Sequence, residues 1–274
     1  MQSTADLLEL QLKKKLHIPE TALRVDNTKL EALGQYFKEI WFDEYRQRIY
    51  LDELCFGCPQ INYILYTLNA ELDHADYRFN TAQDLVMIDV GLHIGSTSIL
   101  KARESNIKKI YAYEPVQATY EYARKNIELN PRYMDKIETF QYGLSNENKT
   151  MEINYNPNTI GAVSTNFDNV TAYGHRDCPT TAEIELRDVN EVLGPIFEKH
   201  EEKIFLKVDC EGGEHDIFER LNDSGLLKKV SIAFFEWHFK EPDRLLEIFR
   251  DNGFICFERY HKGKFGLMHA IKLS

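Results

Sequence analysis

Residues 85–97 constrain this chain more than any other stretch. The apolar run Leu85-Val86-Met87-Ile88 ends in Asp89-Val90-Gly91, and a second glycine, Gly95, stands just before a helix-compatible run at 96–103. The order is strand, glycine turn, helix start. Gly91 opens backbone conformations closed to other residues, and Gly95 lets strand, helix and ligand approach closely. The spacing Asp-x-Gly-x-x-x-Gly differs from the Gly-x-Gly-x-x-Gly of dinucleotide-binding folds. A purely structural strand-turn-helix would give the same string, so the decision falls to the rest of the chain.

From residue 85 onward, strand and helix patterns alternate. Strands are predicted at 85–90, 109–113, 137–142, 204–209 and 230–236. Helices are predicted at 96–104, 117–129, 188–197, 215–221 and 242–252. Segments 254–260 and 267–273 read as a closing antiparallel pair, joined through Lys262-Gly263-Lys264. This alternation predicts an α/β fold, a Rossmann-like doubly wound sheet with helices on both faces. Residues 151–186 break the rhythm with Asn, Thr and Gly and read as a β-rich insertion. Residues 1–82 read as a helical appendage. Leu7, Leu8, Leu10 and Leu12 suggest one helix, 30–40 a second, and Ile61, Ile64, Leu65, Leu68 and Leu72 a third, after the break at Gly57 and Pro59. The domain expectation is therefore 1–82 and 83–274, with self-association through the N-terminal helices as one use of the appendage.

Charge narrows the partners. With 33 basic against 44 acidic residues the formal net charge is −11. That disfavours sequence-independent nucleic-acid binding, which needs Lys and Arg on phosphates. The first fifteen residues mix apolar and charged side chains and do not read as a signal peptide. No apolar run approaches the roughly 18 residues of a membrane span. The expectation is a cytoplasmic protein. Its five cysteines, including the lone Cys55-Phe56-Gly57-Cys58, imply no disulfide framework and no structural zinc site.

In doubly wound sheets ligands bind beyond the carboxyl ends of the strands, so the residues ending each predicted strand are the site candidates. The first end offers Asp89, Gly91, His93, Gly95 and Ser96 as a cofactor loop. The second ends in Tyr113-Glu114-Pro115. Glu114 stands 23 residues after Gly91. Its carboxylate suits the two hydroxyls of a ribose, although an acid favoured by a helix dipole would sit in the same place. Tyr142 and Gly143 form a turn that either caps an adenine ring or merely leaves the strand. The fourth strand carries Lys207, Asp209 and Glu211 on one side by its period of two. Such charges are costly at the end of an apolar strand unless paired or functional, and pairing explains Lys207 more easily than the acids. Glu236 and His238 share a side at the end of the fifth.

Taken together, Met87-Ile88-Asp89-Val90-Gly91-Leu92-His93-Ile94-Gly95, Ala112-Tyr113-Glu114-Pro115, Leu186-Arg187-Asp188-Val189-Asn190-Glu191-Val192-Leu193 and Leu206-Lys207-Val208-Asp209-Cys210-Glu211-Gly212-Gly213-Glu214 resemble the FkbM family of S-adenosylmethionine-dependent methyltransferases. The Lys-x-Asp-x-Glu-Gly-x-Glu string is the most specific piece, and the resemblance spans roughly residues 84–240. It implies a Rossmann-like sheet, S-adenosylmethionine as cofactor, and O-methylation of hydroxyls on sugars or natural products. Two departures stand out. His93 replaces a usual Asn, and Arg187-Asp188 stands where Leu-Asp-Asp is typical.

The expected reaction is methyl transfer to a hydroxyl of a small-molecule or glycan acceptor. Asp209, Glu236 and His238 are the candidate catalytic groups, and Asp209 is also a cofactor-binding candidate. No metal is assigned, although these groups would also suit a divalent cation. An NAD-dependent oxidoreductase on a similar sheet and a non-catalytic interaction protein of the same fold are the alternatives.

Overall fold

The computed structural model describes residues 27–43, 45–57, 61–74, 83–155 and 180–272. The chain divides into two compact units. One is Met1–Phe79 with Lys125–Arg132, the other Asn80–Arg124 with Tyr133–Ser274.

The first unit is less helical than its sequence period predicts. Helix α1 (Asn27–Leu33) stops at Gly34, and strands β1 (Ile40–Asp43), β2 (Arg48–Leu51) and β3 (Leu54–Gly57) form an antiparallel meander before helix α2 (Ile61–His74). The helix expected through 30–40 is corrected accordingly. Leu33, Phe37 and Ile40 are all buried, but Ile40-Trp41-Phe42 and Ile49-Tyr50-Leu51 are β-branched and aromatic runs that fit a pleated surface. Trp41 stacks on Tyr50 across the pair, ring centroids 4.6 Å apart. The open edge of β3 is closed by side chains. Asn130 bonds both the N–H and the C=O of Cys55 at 3.0 and 2.7 Å, and Asn126 accepts from the Gly57 N–H at 2.8 Å. These amides take the place of a fourth strand. The helix expected around residues 7–12 and Cys58 of the CxxC lie outside the described residues.

The second unit follows the predicted alternation. In chain order it runs β4 (Leu85–Val90), α3 (Ser96–Ala102), β5 (Ile107–Tyr113), α4 (Gln117–Glu128), α5 (Pro131–Met134), β6 (Ile137–Phe140), β7 (Gly143–Ser145), β8 (Lys149–Tyr155), β9 (Thr180–Asp188), α6 (Val189–Lys199), β10 (Lys203–Val208), α7 (Glu214–Asp223), β11 (Val230–His238), α8 (Asp243–Asp251), β12 (Phe254–Lys262) and β13 (Phe265–Lys272); α4 and α5 also supply Lys125–Arg132 to the first unit. The central sheet has the order β12-β13-β11-β10-β4-β5-β6, and every pair is parallel except those made by β13. All six residues of β4 are buried, as expected for a strand covered on both faces. The chain leaves β4 toward β5 and β6, then returns to the other side through β10 and β11. The order therefore reverses between β4 and β10, where such folds open a crevice.

The third predicted strand is corrected at its end. It stops at Phe140, and Gly143–Ser145 joins a second sheet of order β7-β9-β8. Gly143 makes this possible, because a Cβ there would stand 2.6 Å from Leu186 Cδ2 and 3.3 Å from Pro115 Cγ. The segment expected as an insertion supplies the antiparallel pair β8 and β9, and residues 156–179 lie outside the described residues.

Candidate active site

The carboxyl end of β4 is locked to the carboxyl end of β10. Asp89 is fully buried. Its Oδ2 accepts from the Ser98 hydroxyl at 2.6 Å, and its Oδ1 lies 3.1 Å from Lys207 Nζ. The same ammonium donates to the Gly91 carbonyl at 2.6 Å and stands 3.9 Å from Asp209 Oδ2. The Asp209 N–H donates to the Val90 carbonyl at 3.0 Å. Gly91 has φ +88°, and a Cβ on it would fall 1.8 Å from the Asp209 carbonyl oxygen. Its glycine requirement thus comes both from the positive φ that the sequence suggested and from the approach of the β10 loop. Gly95 also has positive φ, +84°, while its Cβ would make only ordinary contacts with Ala123. Ser96 is fully buried, and its hydroxyl makes no hydrogen bond.

At the end of β5, Glu114 is buried to 7 % exposure. One carboxylate oxygen accepts from the His93 N–H and the other from the Val116 N–H, both at 3.0 Å. Each oxygen keeps a further lone pair. Burial pushes the carboxyl up to about 7, against the pull of those N–H groups, His93 and Lys207. His93 itself has φ 54°. That region is populated by Asn and His more readily than by most residues, which accounts for His in a position where Asn is usual. Beyond the end of β6, Tyr142 lies half-buried against Phe140 and Tyr113, with the Arg187 guanidinium 3.9 Å over its ring. Arg187 therefore has a contact of its own, and Asp188 supplies the helix start. Its side chain accepts from the Asn190 N–H at 2.8 Å and pairs with Arg220 at 2.7 Å.

The second group of candidates gathers around Glu214, the first residue of α7 and fully buried. Its carboxylate accepts from the N–H groups of Cys210 and Gly212 at 3.1 Å, which wraps the loop after β10 around it. It also holds His238 Nδ1 at 3.0 Å. His238, the last residue of β11, is 3 % exposed. Its Nε2 faces Glu211 at 3.6 Å and Glu236 at 3.9 Å. Burial works against the imidazolium, but Glu214, then Glu211 and Asp209, outweigh it and lift His238 to about 10. Burial and the neighbouring carboxylates push Glu211 up to about 8, against the pull of His238. Glu211 sits at φ 55°, a conformation that costs a non-glycine residue of order 1–3 kcal/mol and that is often retained for function. Glu236 accepts from the Tyr260 hydroxyl at 2.7 Å.

The structure brings Asp209 and Glu211, which share a side by the strand period, to His238 and Glu236, and adds Glu214. The signal for Glu214 was in the Lys-x-Asp-x-Glu-Gly-x-Glu string. Asp89, Gly91, His93 and Glu114 form a second set on the β4 and β5 side. Asp209 belongs to both.

A family model for the FkbM methyltransferase domain matches residues 89–256, more than half of the chain. The chain belongs to the FkbM methyltransferase family. It is a family of S-adenosylmethionine-dependent methyltransferases, so S-adenosylmethionine is the cofactor and the NAD reading falls away. The chain is 26 % identical over 204 residues to Methyltransferase sdnD of Sordaria araneosa, covering 66 % of this chain and 78 % of that one. It is 25 % identical over 160 residues to Methyltransferase 1 of Beauveria bassiana, covering 51 % and 59 %. Among solved structures, the FkbM methyltransferase of Methylobacillus flagellatus aligns over 90 % of this chain and 58 % of its own, at 13 % identity and a TM-score of 0.44. M. capricolum TrmK, solved with S-adenosylhomocysteine, aligns over 76 % and 67 %, at 15 % identity and a TM-score of 0.42. The residues present fit the cofactor. Glu114 is a buried carboxylate with free lone pairs one strand from the glycine loop, and the unpartnered Ser96 hydroxyl lies at the end of that loop. No helix among the described residues is long and apolar enough to cross a membrane.

Proposed function

We propose that the chain is a cytoplasmic O-methyltransferase that methylates a hydroxyl of a sugar, a polysaccharide precursor or a natural product. The observation that carries this reading is the convergence of Asp209, Glu211, Glu236 and His238 beside the β4–β10 crevice. When bound, S-adenosylmethionine supplies a sulfonium methyl group open to in-line attack. Glu114 would accept from the ribose hydroxyls, and Tyr142 and Gly143 would border the adenine. Asp89 would act through the loop that it holds to β10.

An alcohol oxygen is a weak nucleophile, so it needs a positioned proton acceptor. Against the effect of burial, the carboxylates around His238 raise it to about 10, which makes it a poor proton acceptor. The carboxylates of Asp209 and Glu236 remain for the role, with His238 beside them. A mass-spectrometric screen of hydroxylated small molecules and nucleotide-linked sugars, with isotopically labelled methyl donor, tests this. A labelled methyl ether is the expected product. Label found only on nitrogen or carbon would overturn the proposal.

A further inference from the structure

His238 Nε2, a carboxylate oxygen of Asp209 and one of Glu211 lie within 4.8 Å of one another. They come from neighbouring parallel strands, two from the loop that follows β10 and one from the end of β11. Three features of this meeting point ask for a ligand.

The imidazole is 3 % exposed, its Nδ1 is bonded to Glu214, and its Nε2 makes no hydrogen bond. Carboxylate oxygens of Glu211 and Glu236 lie 3.6 and 3.9 Å from Nε2. This nitrogen is therefore turned toward the carboxylates at more than hydrogen-bond distance. Next, a fully buried carboxylate grips the opposite nitrogen of the same ring. This is how proteins fix the tautomer and direction of a metal-ligating imidazole. Finally, Asp209, Glu211 and Glu236 converge on the Nε2 side of the ring, and a bound divalent ion would be the largest local charge there.

We propose that Asp209, Glu211 and His238 bind one divalent first-row cation, which displaces any proton on Nε2 into solvent, with Glu214 holding the imidazole in place. Two carboxylates and one imidazole suit Mn²⁺ or a similar ion, while Ca²⁺ prefers six to eight oxygens. Metal–ligand distances of about 2.0–2.2 Å put adjacent donors roughly 3 Å apart, so the three groups close in slightly on binding. Three protein ligands leave coordination positions open. They suit an acceptor that offers two oxygens, such as a vicinal diol or an α-hydroxy acid.

The catalytic consequence rests on the O-methyl transfer proposed above; the binding site does not. The cation lowers the pKa of the acceptor hydroxyl that it binds. That hydroxyl loses its proton to Glu236, and its oxygen forms a bond to the methyl carbon. The carbon–sulfur bond breaks with its electron pair staying on sulfur. The products are a methyl ether and a neutral thioether.

The test is a titration of the chelator-treated full chain with Mn²⁺, following free Mn²⁺ by electron paramagnetic resonance. S-adenosylhomocysteine binding is measured by calorimetry on the same samples. The expected result is one Mn²⁺ per chain, with affinity at least about tenfold weaker in Asp209→Asn and in Glu211→Gln and unchanged in Glu183→Gln, an exposed carboxylate on β9. Asp209 and Glu211 are about a third exposed, so both variants should fold; thermal melts check this, and either variant alone suffices. No saturable Mn²⁺ binding, or binding that both substitutions leave intact, overturns the proposal. Intact S-adenosylhomocysteine binding without Mn²⁺ binding defeats the metal site alone. Mn²⁺ binding without methyl transfer to any hydroxyl defeats the reaction and leaves the site.

Discussion

The two sides of the β4–β10 junction are built on opposite plans. On the β4 side the contacts are between backbones, or between charges buried at once. Gly91 lies under the Asp209 carbonyl, and Asp89, Ser98 and Lys207 bond one another out of water. On the β11 side carboxylates gather around an imidazole, two of them about a third exposed. The first side has no room for change and fixes geometry. The second keeps charge available to a ligand. Substitutions on the first side should therefore be read in stability and cofactor affinity, and those on the second in turnover.

The largest effect is expected at Gly91. In Gly91→Val the new Cβ would fall on the Asp209 carbonyl, in a backbone conformation that β-branched residues avoid. Thermal melts should show a grossly destabilised protein, and a well-folded variant that binds S-adenosylhomocysteine normally would break the contrast outright. Lys207→Met comes next. It strips the partner from a carboxylate with no exposure, and breaking a buried pair in this way costs about 3–5 kcal/mol. Chemical denaturation should register that loss, whereas a near-neutral result would mean that Asp89 finds another partner.

On the other side, Asp209→Asn and His238→Ala should each lower turnover by about 10²-fold or more, the usual scale for acid–base groups. Cofactor affinity should move far less. If affinity fell as steeply as turnover, the two sides would not be functionally separate. Glu114→Ala returns to the first side. Losing a charge-assisted hydrogen bond worth roughly 1.5–3 kcal/mol should weaken S-adenosylhomocysteine ten- to a hundredfold in calorimetry, with turnover at saturating cofactor nearly intact.

The smallest effect is one of pH. Burial holds Glu114 at about 7 in the folded chain, against its ordinary 4.5. The folded state therefore keeps a proton that the unfolded state has lost. This group's contribution to stability is complete below about 4.5 and is lost as pH rises through about 7. Cofactor binding runs the other way, because the ribose hydroxyls need the ionised form. Affinity should rise with pH up to about 7 and then level off, and Glu114→Gln should flatten the curve. An unchanged slope in that variant would assign the titration to another group.

The wrong expectations have a common cause. Leu33, Phe37 and Ile40 are spaced as one helical stripe, and all three are buried, yet the chain turns between them, because the aromatic and β-branched run beyond residue 40 pairs with β2. A period records which residues go inside, and a helix and a strand can satisfy the same burial over a few residues. Residues 137–142 failed similarly. Where a strand stops depends on its neighbour, and Gly143 is claimed by β9.

The sequence by itself determined the sheet, the glycine turn, the acids that end the strands and the family, since each is carried by local spacing: a period of two, a glycine at a turn, one contiguous string after β10. The tertiary structure alone decided what those residues do to one another. Gly91 and Asp209 are far apart in the chain, and only the parallel pairing of β4 with β10 makes the glycine obligatory by bringing a carbonyl against it. Glu214 and His238 meet only because α7 starts beneath the end of β11. Side-chain charge and protonation depend on burial and on neighbours at 3–4 Å, and the folded chain selects those neighbours from residues that are distant in sequence.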